Sequence, residues 1–105
     1  SRRPRKQIKP DSSGFFSFMW FTYILYSKKI NKYYTGITED DLDWRLERHN
    51  QGWGRYTKNG IPWELVYYET YQTKQEALKR EREIKSKKSR KYIEELIRHA
   101  GGRPE

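Results

Sequence analysis

The stretch from Met19 to Thr38 constrains this chain more than any other. Two runs rich in aromatic and β-branched residues, Met19–Ser27 and Tyr33–Thr38, are joined only by Lys28-Lys29-Ile30-Asn31-Lys32. Runs of this kind read as strands, and a linker this short and polar makes them an antiparallel hairpin. Tyr23 on the first strand and Tyr34 on the second can then stand side by side. Paired phenols in such a hairpin either pack the core or hold two hydroxyls at the rim of a site.

Composition narrows the choice. The 105 residues suffice for one small domain with a modest core. Only 33% are hydrophobic while 16% are aromatic, so Tyr, Trp and Phe must supply much of that core. A formal net charge of +9 points to a polyanionic partner, nucleic acid first. Absence of cysteine excludes disulfides and thiolate metal sites and fits a cytoplasmic location. The aromatic segment Phe15–Leu25 is too short to span a membrane, is broken by Ser17 and Thr22, and lacks a small-residue cleavage site. No membrane association is expected, and a monomer is.

Residues 1–18 carry Arg2, Arg3, Arg5, Lys6 and Lys9 against the single acid Asp11, with Pro4 and Pro10. They are expected to form a flexible basic arm of non-native or upstream character, with Met19 a plausible natural start. Beyond the hairpin, Thr38 or a following acid caps a helix over Asp40–Asn50, with Leu42 and Leu46 facing the core. Gln51–Pro62 is a loop marked by Gly52, Gly54, Asn59-Gly60 and Pro62. Trp63–Tyr71 is a third strand. Thr73 and Glu76 form a capping box for a helix to about Ser86. A last helix covers Ser89–His99, leaving 100–105 as a flexible tail. The predicted class is a small α/β (α+β) domain, order β-β-α-β-α-α, with a three-stranded antiparallel sheet flanked by helices over residues 19–99.

Arg45 and His49 share one helix face, offset from Leu42 and Leu46. Arg suits phosphate charge, and His can exchange a proton with a phosphate ester. Taken alone, a solvated Arg and a partly buried His explain them as well. Glu81, one helical turn beyond Ala77, is placed partly inward, where its carboxylate could hold one Mg²⁺ or Mn²⁺; an ion pair with Lys85 is the plainer reading. Around it lie Lys79, Arg80, Arg82, Lys85, Lys87, Lys88, Arg90 and Lys91, with Glu83 the only other acid.

Taken in order and on these elements, Tyr23, Tyr34, Gly36, Arg45, His49 and Glu81 resemble the GIY-YIG endonuclease superfamily. The similarity is greatest to its small single-domain bacterial, YhbQ-like branch, related to the N-terminal nuclease domain of UvrC. Phe21-Thr22-Tyr23 and Tyr34-Thr35-Gly36 look like the two half-motifs. Arg45-Leu46-Glu47-Arg48-His49-Asn50, Trp63–Tyr68 and Glu76–Glu81 look like the helix, strand and metal-binding helix that follow. The resemblance implies that Glu81 is the sole protein ligand of a divalent metal and that Tyr23 acts as base on the attacking water, which needs a phenol pKa lowered by nearby cations. It implies that Tyr34 positions water or phosphate, Arg45 stabilises the pentavalent phosphate, His49 bonds a phosphate oxygen or moves a proton, and Gly36 lets the backbone pack beside the site.

Two features depart from that pattern. Phe21-Thr22 and Thr35 stand at packing positions usually held by Gly-Ile and Ile. Ile37 stands where Lys is frequent, and Ser86–Tyr92 has no Asn. Phosphate contacts would then fall to Lys58, Arg80, Lys85, Lys87 or Lys88. The expected function is metal-dependent cleavage of DNA phosphodiesters, structure-selective and linked to repair or recombination. The alternative is a nucleic-acid-binding module of the same fold with a weak or inactive site, and a third reading makes Trp44 and Trp53 a protein-partner surface.

Overall fold

The computed structural model describes residues 19–101; the basic arm and residues 102–105 lie outside the described residues. In chain order the elements are β1 (Trp20–Ser27), β2 (Lys32–Thr38), α1 (Leu42–Asn50), a 3₁₀ turn (Lys58–Gly60), β3 (Trp63–Tyr71), α2 (Lys74–Lys87) and α3 (Arg90–Gly101). The sheet is antiparallel throughout, in the order β2-β1-β3. This is the expected α+β architecture. Helix α3 runs past the predicted end at His99 to Gly101.

The hairpin places Tyr23 opposite Gly36 and Leu25 opposite Tyr34. These residues therefore share one face of the sheet. Its turn depends on Asn31, which adopts a left-handed φ of 57°, a conformation Asn tolerates better than most residues. Tyr26 Oη donates to Asn31 Oδ1 at 2.7 Å, and the Arg90 guanidinium of α3 donates to the same side chain at 2.6 Å and to the Asn31 carbonyl at 3.0 Å.

A bulge decides what β3 shows to each side. Ile24 pairs with Tyr67 but Leu25 pairs with Leu65, leaving Val66 as the extra residue. Alternation is thus interrupted. Trp63 and Leu65 join the face of Tyr23 and Leu25, while Tyr67, Glu69 and Tyr71 join the face of Thr22 and Ile24. On the first face Tyr23, Leu25 and Trp63 form a core closed by Tyr34, Leu42, Leu46 and Ile61. The Trp63 indole donates to the Thr57 carbonyl at 2.6 Å. Asn50, at the end of α1, brackets the start of β3: its Oδ1 accepts from Trp63 N at 2.6 Å and its Nδ2 donates to Trp63 O at 3.1 Å.

The second face is covered by α2 and α3. Thr22 is fully buried, and its Oγ1 donates to the Ala77 carbonyl at 2.8 Å, which gives the residue at this motif position a structural use that an Ile would lack. The capping box of Thr73 and Glu76 forms as expected. Lys88, left-handed at φ 46°, stops α2; Ser89 Oγ then accepts from Tyr92 N at 3.0 Å and starts α3. The entry to α1 differs from expectation. The helix begins at Leu42, and Asp41 at its N-cap makes no side-chain cap bond. Thr38 Oγ1 instead accepts from Asp40 N at 2.9 Å and from Arg45 Nε at 3.2 Å, so it fixes the turn and the arginine rather than the helix end.

Glu69 lies half-buried on the second face and accepts from the hydroxyls of Tyr67 and Tyr71 and from Arg80 Nε at 3.0 and 3.2 Å. Burial by itself raises its pKa, but these donors prevail and hold it below the ordinary 4.5. A depressed carboxylate stabilises the fold above its unfolded pKa and loses that contribution as pH falls through the folded value. Acid unfolding followed by circular dichroism should therefore steepen below pH 4.5, and a Glu69→Gln variant, less stable at neutral pH, should show a shallower acid decline. Parallel curves would remove Glu69 from the account.

Candidate active site

On the α1 side of the sheet the polar groups of four segments meet. The Tyr23 hydroxyl lies 2.9 Å from His49 Nε2, and His49 Nδ1 lies 3.1 Å from Thr57 Oγ1. Thr57 Oγ1 also lies 3.3 Å from the Gly54 carbonyl, to which it donates. Having used its proton there, Thr57 must accept from His49 Nδ1–H. Nε2 is then the imidazole acceptor, and Tyr23 donates to it. Burial and the charge of Arg45 both lower the His49 pKa from 6.5, which favours the neutral ring this assignment needs.

Tyr23 corrects one expectation. Catalysis by Tyr23 as a free base calls for a depressed phenol pKa, yet here it is raised. The largest cause is burial, at 3% exposure. Tyr34 and Glu81 raise it further, and only Arg45 opposes them. One guanidinium does not offset removal of a phenolate from water.

Gly36 sits between the phenols. A Cβ there would lie 2.8 Å from Tyr23 Oη and 3.1 Å from Tyr34 Cε2, so only glycine leaves room for both rings. The Tyr23 and Tyr34 rings are 6.4 Å apart, and Tyr34 packs edge-on to His49 at 5.1 Å. Arg45, held by Thr38 Oγ1, reaches Asp40 at 3.5 Å. Its charge, from α1, lowers the Tyr23 pKa while that of Glu81, from α2, raises it.

Glu81 is 15% exposed and receives Lys85 Nζ at 3.1 Å. Among the described residues no three His, Cys, Asp or Glu side chains cluster as a metal site. One carboxylate fits a hard cation such as Mg²⁺ only where water and substrate phosphate complete the shell, and Lys85 has to move aside.

The predicted phosphate contacts separate. Lys85 and Lys88 line an open cleft of about 380 Å³ with Lys32, Tyr34 and Arg90. Arg80 is turned to the far side, bound to Glu69, Glu83 and the Tyr92 hydroxyl, and Lys87 lies over the Tyr92 ring at 5.3 Å. Lys58 is exposed on the 3₁₀ turn. Thr57 escaped sequence reasoning altogether. It lies beyond the helix that carries His49, and the one available signal was the Gly-rich loop between them: a Cβ on Gly54 would approach Thr57 Oγ1 to 2.5 Å.

Comparison with known proteins gives the family and the fold. A model of the GIY-YIG catalytic domain matches residues 19–93. The chain belongs to the GIY-YIG family. It thereby joins a nuclease family. UPF0213 proteins of Staphylococcus aureus strains Mu3 and N315 are each 56% identical over 54 residues, covering 50% of this chain and 65% of theirs. The match thus spans just under two thirds of the length of these relatives. The solution NMR structure of the UPF0213 protein BH0048 from Bacillus halodurans is 36% identical, covers 81% of this chain and 88% of that one, and superposes with a TM-score of 0.51. Among the described residues no helix of this GIY-YIG domain is long and apolar enough to cross a membrane.

The crowding at Gly36 gives a direct check. Gly36→Ala should lower stability by about 1–3 kcal/mol through overpacking and should disturb the tyrosine signals in near-UV circular dichroism. An unchanged spectrum and melting temperature would mean the phenols are not held against this glycine.

Proposed function

We propose that this domain is a divalent-metal-dependent endonuclease that hydrolyses DNA phosphodiesters, selective for strand structure and serving repair or recombination in the cytoplasm. The observation that carries the reading is the 2.9 Å contact of Tyr23 with His49, with the opposed charges of Arg45 and Glu81 both acting on the phenol. Such a grouping of phenol, imidazole, guanidinium and carboxylate suits charge and proton traffic at a phosphate.

Each side chain has a part in the proposal. The DNA backbone lies in the cleft lined by Lys32, Lys85, Lys88 and Arg90. Tyr34 on that cleft orients the water and the phosphate. A proton taken up at Tyr23 Oη is matched by one passed from Tyr23 to His49 Nε2, so no phenolate accumulates and the raised phenol pKa is no obstacle. Arg45 stabilises the negative charge gained in the pentavalent state. Glu81 is the carboxylate that would hold Mg²⁺ or Mn²⁺; when bound, the ion polarises the phosphate and stabilises the leaving oxygen.

Two observations favour the second reading, a nucleic-acid-binding module with a weak or inactive site. Tyr23 is only 3% exposed, and Lys85 occupies the Glu81 carboxylate. Flap, fork and single-stranded DNA incubated with Mn²⁺ or EDTA separates them. For the nuclease, products form only with metal, disappear in Glu81→Gln, and form about 10²–10³-fold more slowly in Arg45→Ala. Salt-sensitive binding without products in any condition would establish the module instead.

The pH profile tests the relay. Because the His49 pKa lies below 6.5, the ring is neutral at pH 7 and becomes charged only as pH drops through its lowered value. Cleavage should hold from pH 7 to 6.5 and fall at lower pH, and His49→Gln should remove that limb along with most activity. A wild-type rate that keeps rising toward acid would contradict a neutral acceptor.

A further inference from the structure

Residues 51–62 contain no acid but include Arg55 and Lys58. The same loop leaves Trp53 65% and Tyr56 85% exposed. Its backbone is nevertheless well tied. Gly52 N donates to His49 O at 3.0 Å, Trp53 N to Arg48 O at 3.2 Å, and Lys58 N to Gly54 O at 3.1 Å. Gly52, left-handed at φ 88°, and crowded Gly54 let the chain turn tightly against His49 and Thr57. The aromatic side chains thus stay in solvent on an anchored loop. The Trp53 ring is also oriented: the Arg48 guanidinium lies 4.1 Å from its centre and 4.6 Å from that of Trp44.

Two large exposed rings add little to folding, since the core forms without them. An oriented Trp53 ring and an exposed Tyr56 ring, on a loop that carries cations and no acid of its own, match the chemistry of nucleobases beside phosphates. Base faces are covered by their neighbours in a duplex and free in an unpaired strand. Tyr56 immediately precedes Thr57, whose hydroxyl meets His49, so the exposed ring and the buried relay belong to one loop.

We propose that Trp53 and Tyr56 form a stacking platform for unpaired bases of a DNA strand, with Arg55 and Lys58 contacting the adjoining phosphates. The domain then prefers single-stranded DNA to a continuous duplex. The assignment rests on the DNA reading above and adds the feature of the strand that is recognised.

The test uses the full chain in EDTA, so that no turnover intervenes, with three labelled probes: an oligothymidylate, an abasic strand of equal length, and a hairpin duplex. Fluorescence anisotropy at one salt concentration should show that Trp53→Ala with Tyr56→Ala weakens oligothymidylate binding about tenfold or more, with the other two probes within about twofold. Trp53→Phe with Tyr56→Phe, which keeps both rings and guards against a disturbed loop, should restore most of the affinity. Equal losses on all three probes, no loss on oligothymidylate, tighter binding of oligouridylate than oligothymidylate, or a change confined to self-association on a sizing column would overturn the platform. Differential binding with no metal-dependent cleavage by the wild type would sink the nuclease reading alone. Metal-dependent cleavage with oligothymidylate affinity untouched in the double alanine variant would sink the platform alone.

Discussion

The hydrogen bond from Tyr23 to His49 organises much of this small domain. A phenol buried at the centre of a three-stranded sheet must find a partner, because leaving its hydroxyl unpaired costs about 1–3 kcal/mol. The partner comes from α1, so the helix has to cross the sheet at one height. The other imidazole nitrogen then needs Thr57, which draws the Gly-rich loop inward. Thr57 in turn presents its carbonyl to the Trp63 indole. One buried hydroxyl therefore links β1, α1, the loop and the start of β3.

The rest of the fold keeps one further carboxylate away from that arrangement. The bulge at Val66 sends Glu69 to the opposite face from Tyr23. There its carboxylate takes up Arg80 and two tyrosine hydroxyls. Without this shift of alternation, an acid would be carried toward the His49 side, where it would raise the imidazole pKa and favour the charged ring. The bulge thus separates a structural carboxylate network from the neutral relay, within a sheet of three strands.

Cationic side chains that look alike along α2 also come apart in space. Arg80 and Lys87 turn to Tyr92 and help hold α3, whereas Lys85 and Lys88 border the cleft beside Tyr34. Net charge thus overstates the surface open to phosphate, because part of it is spent inside the fold. The loop after His49 has the opposite character: its aromatics and cations face solvent while its backbone is fixed.

Much of this was legible beforehand. The strand and helix order followed from aromatic runs, turn residues and the Thr73–Glu76 box, all governed by local propensity and period. Tyr23, Tyr34, Gly36, Arg45, His49 and Glu81 stood out by their ordered resemblance to a nuclease family. The hydrogen bonding of Tyr23 and His49 was not legible, nor was the role of Thr57, since these depend on how a loop closes over a helix. The direction of the phenol pKa was hidden for the same reason: burial, its largest cause, is not written along the chain. The elements, their order and the types of side chain available were written along the chain, because those follow from short-range sterics and patterning. Which hydroxyl met which nitrogen, which lysines bordered the cleft and which way the phenol titrates emerged only in the folded domain, because contact and desolvation are properties of distance in space.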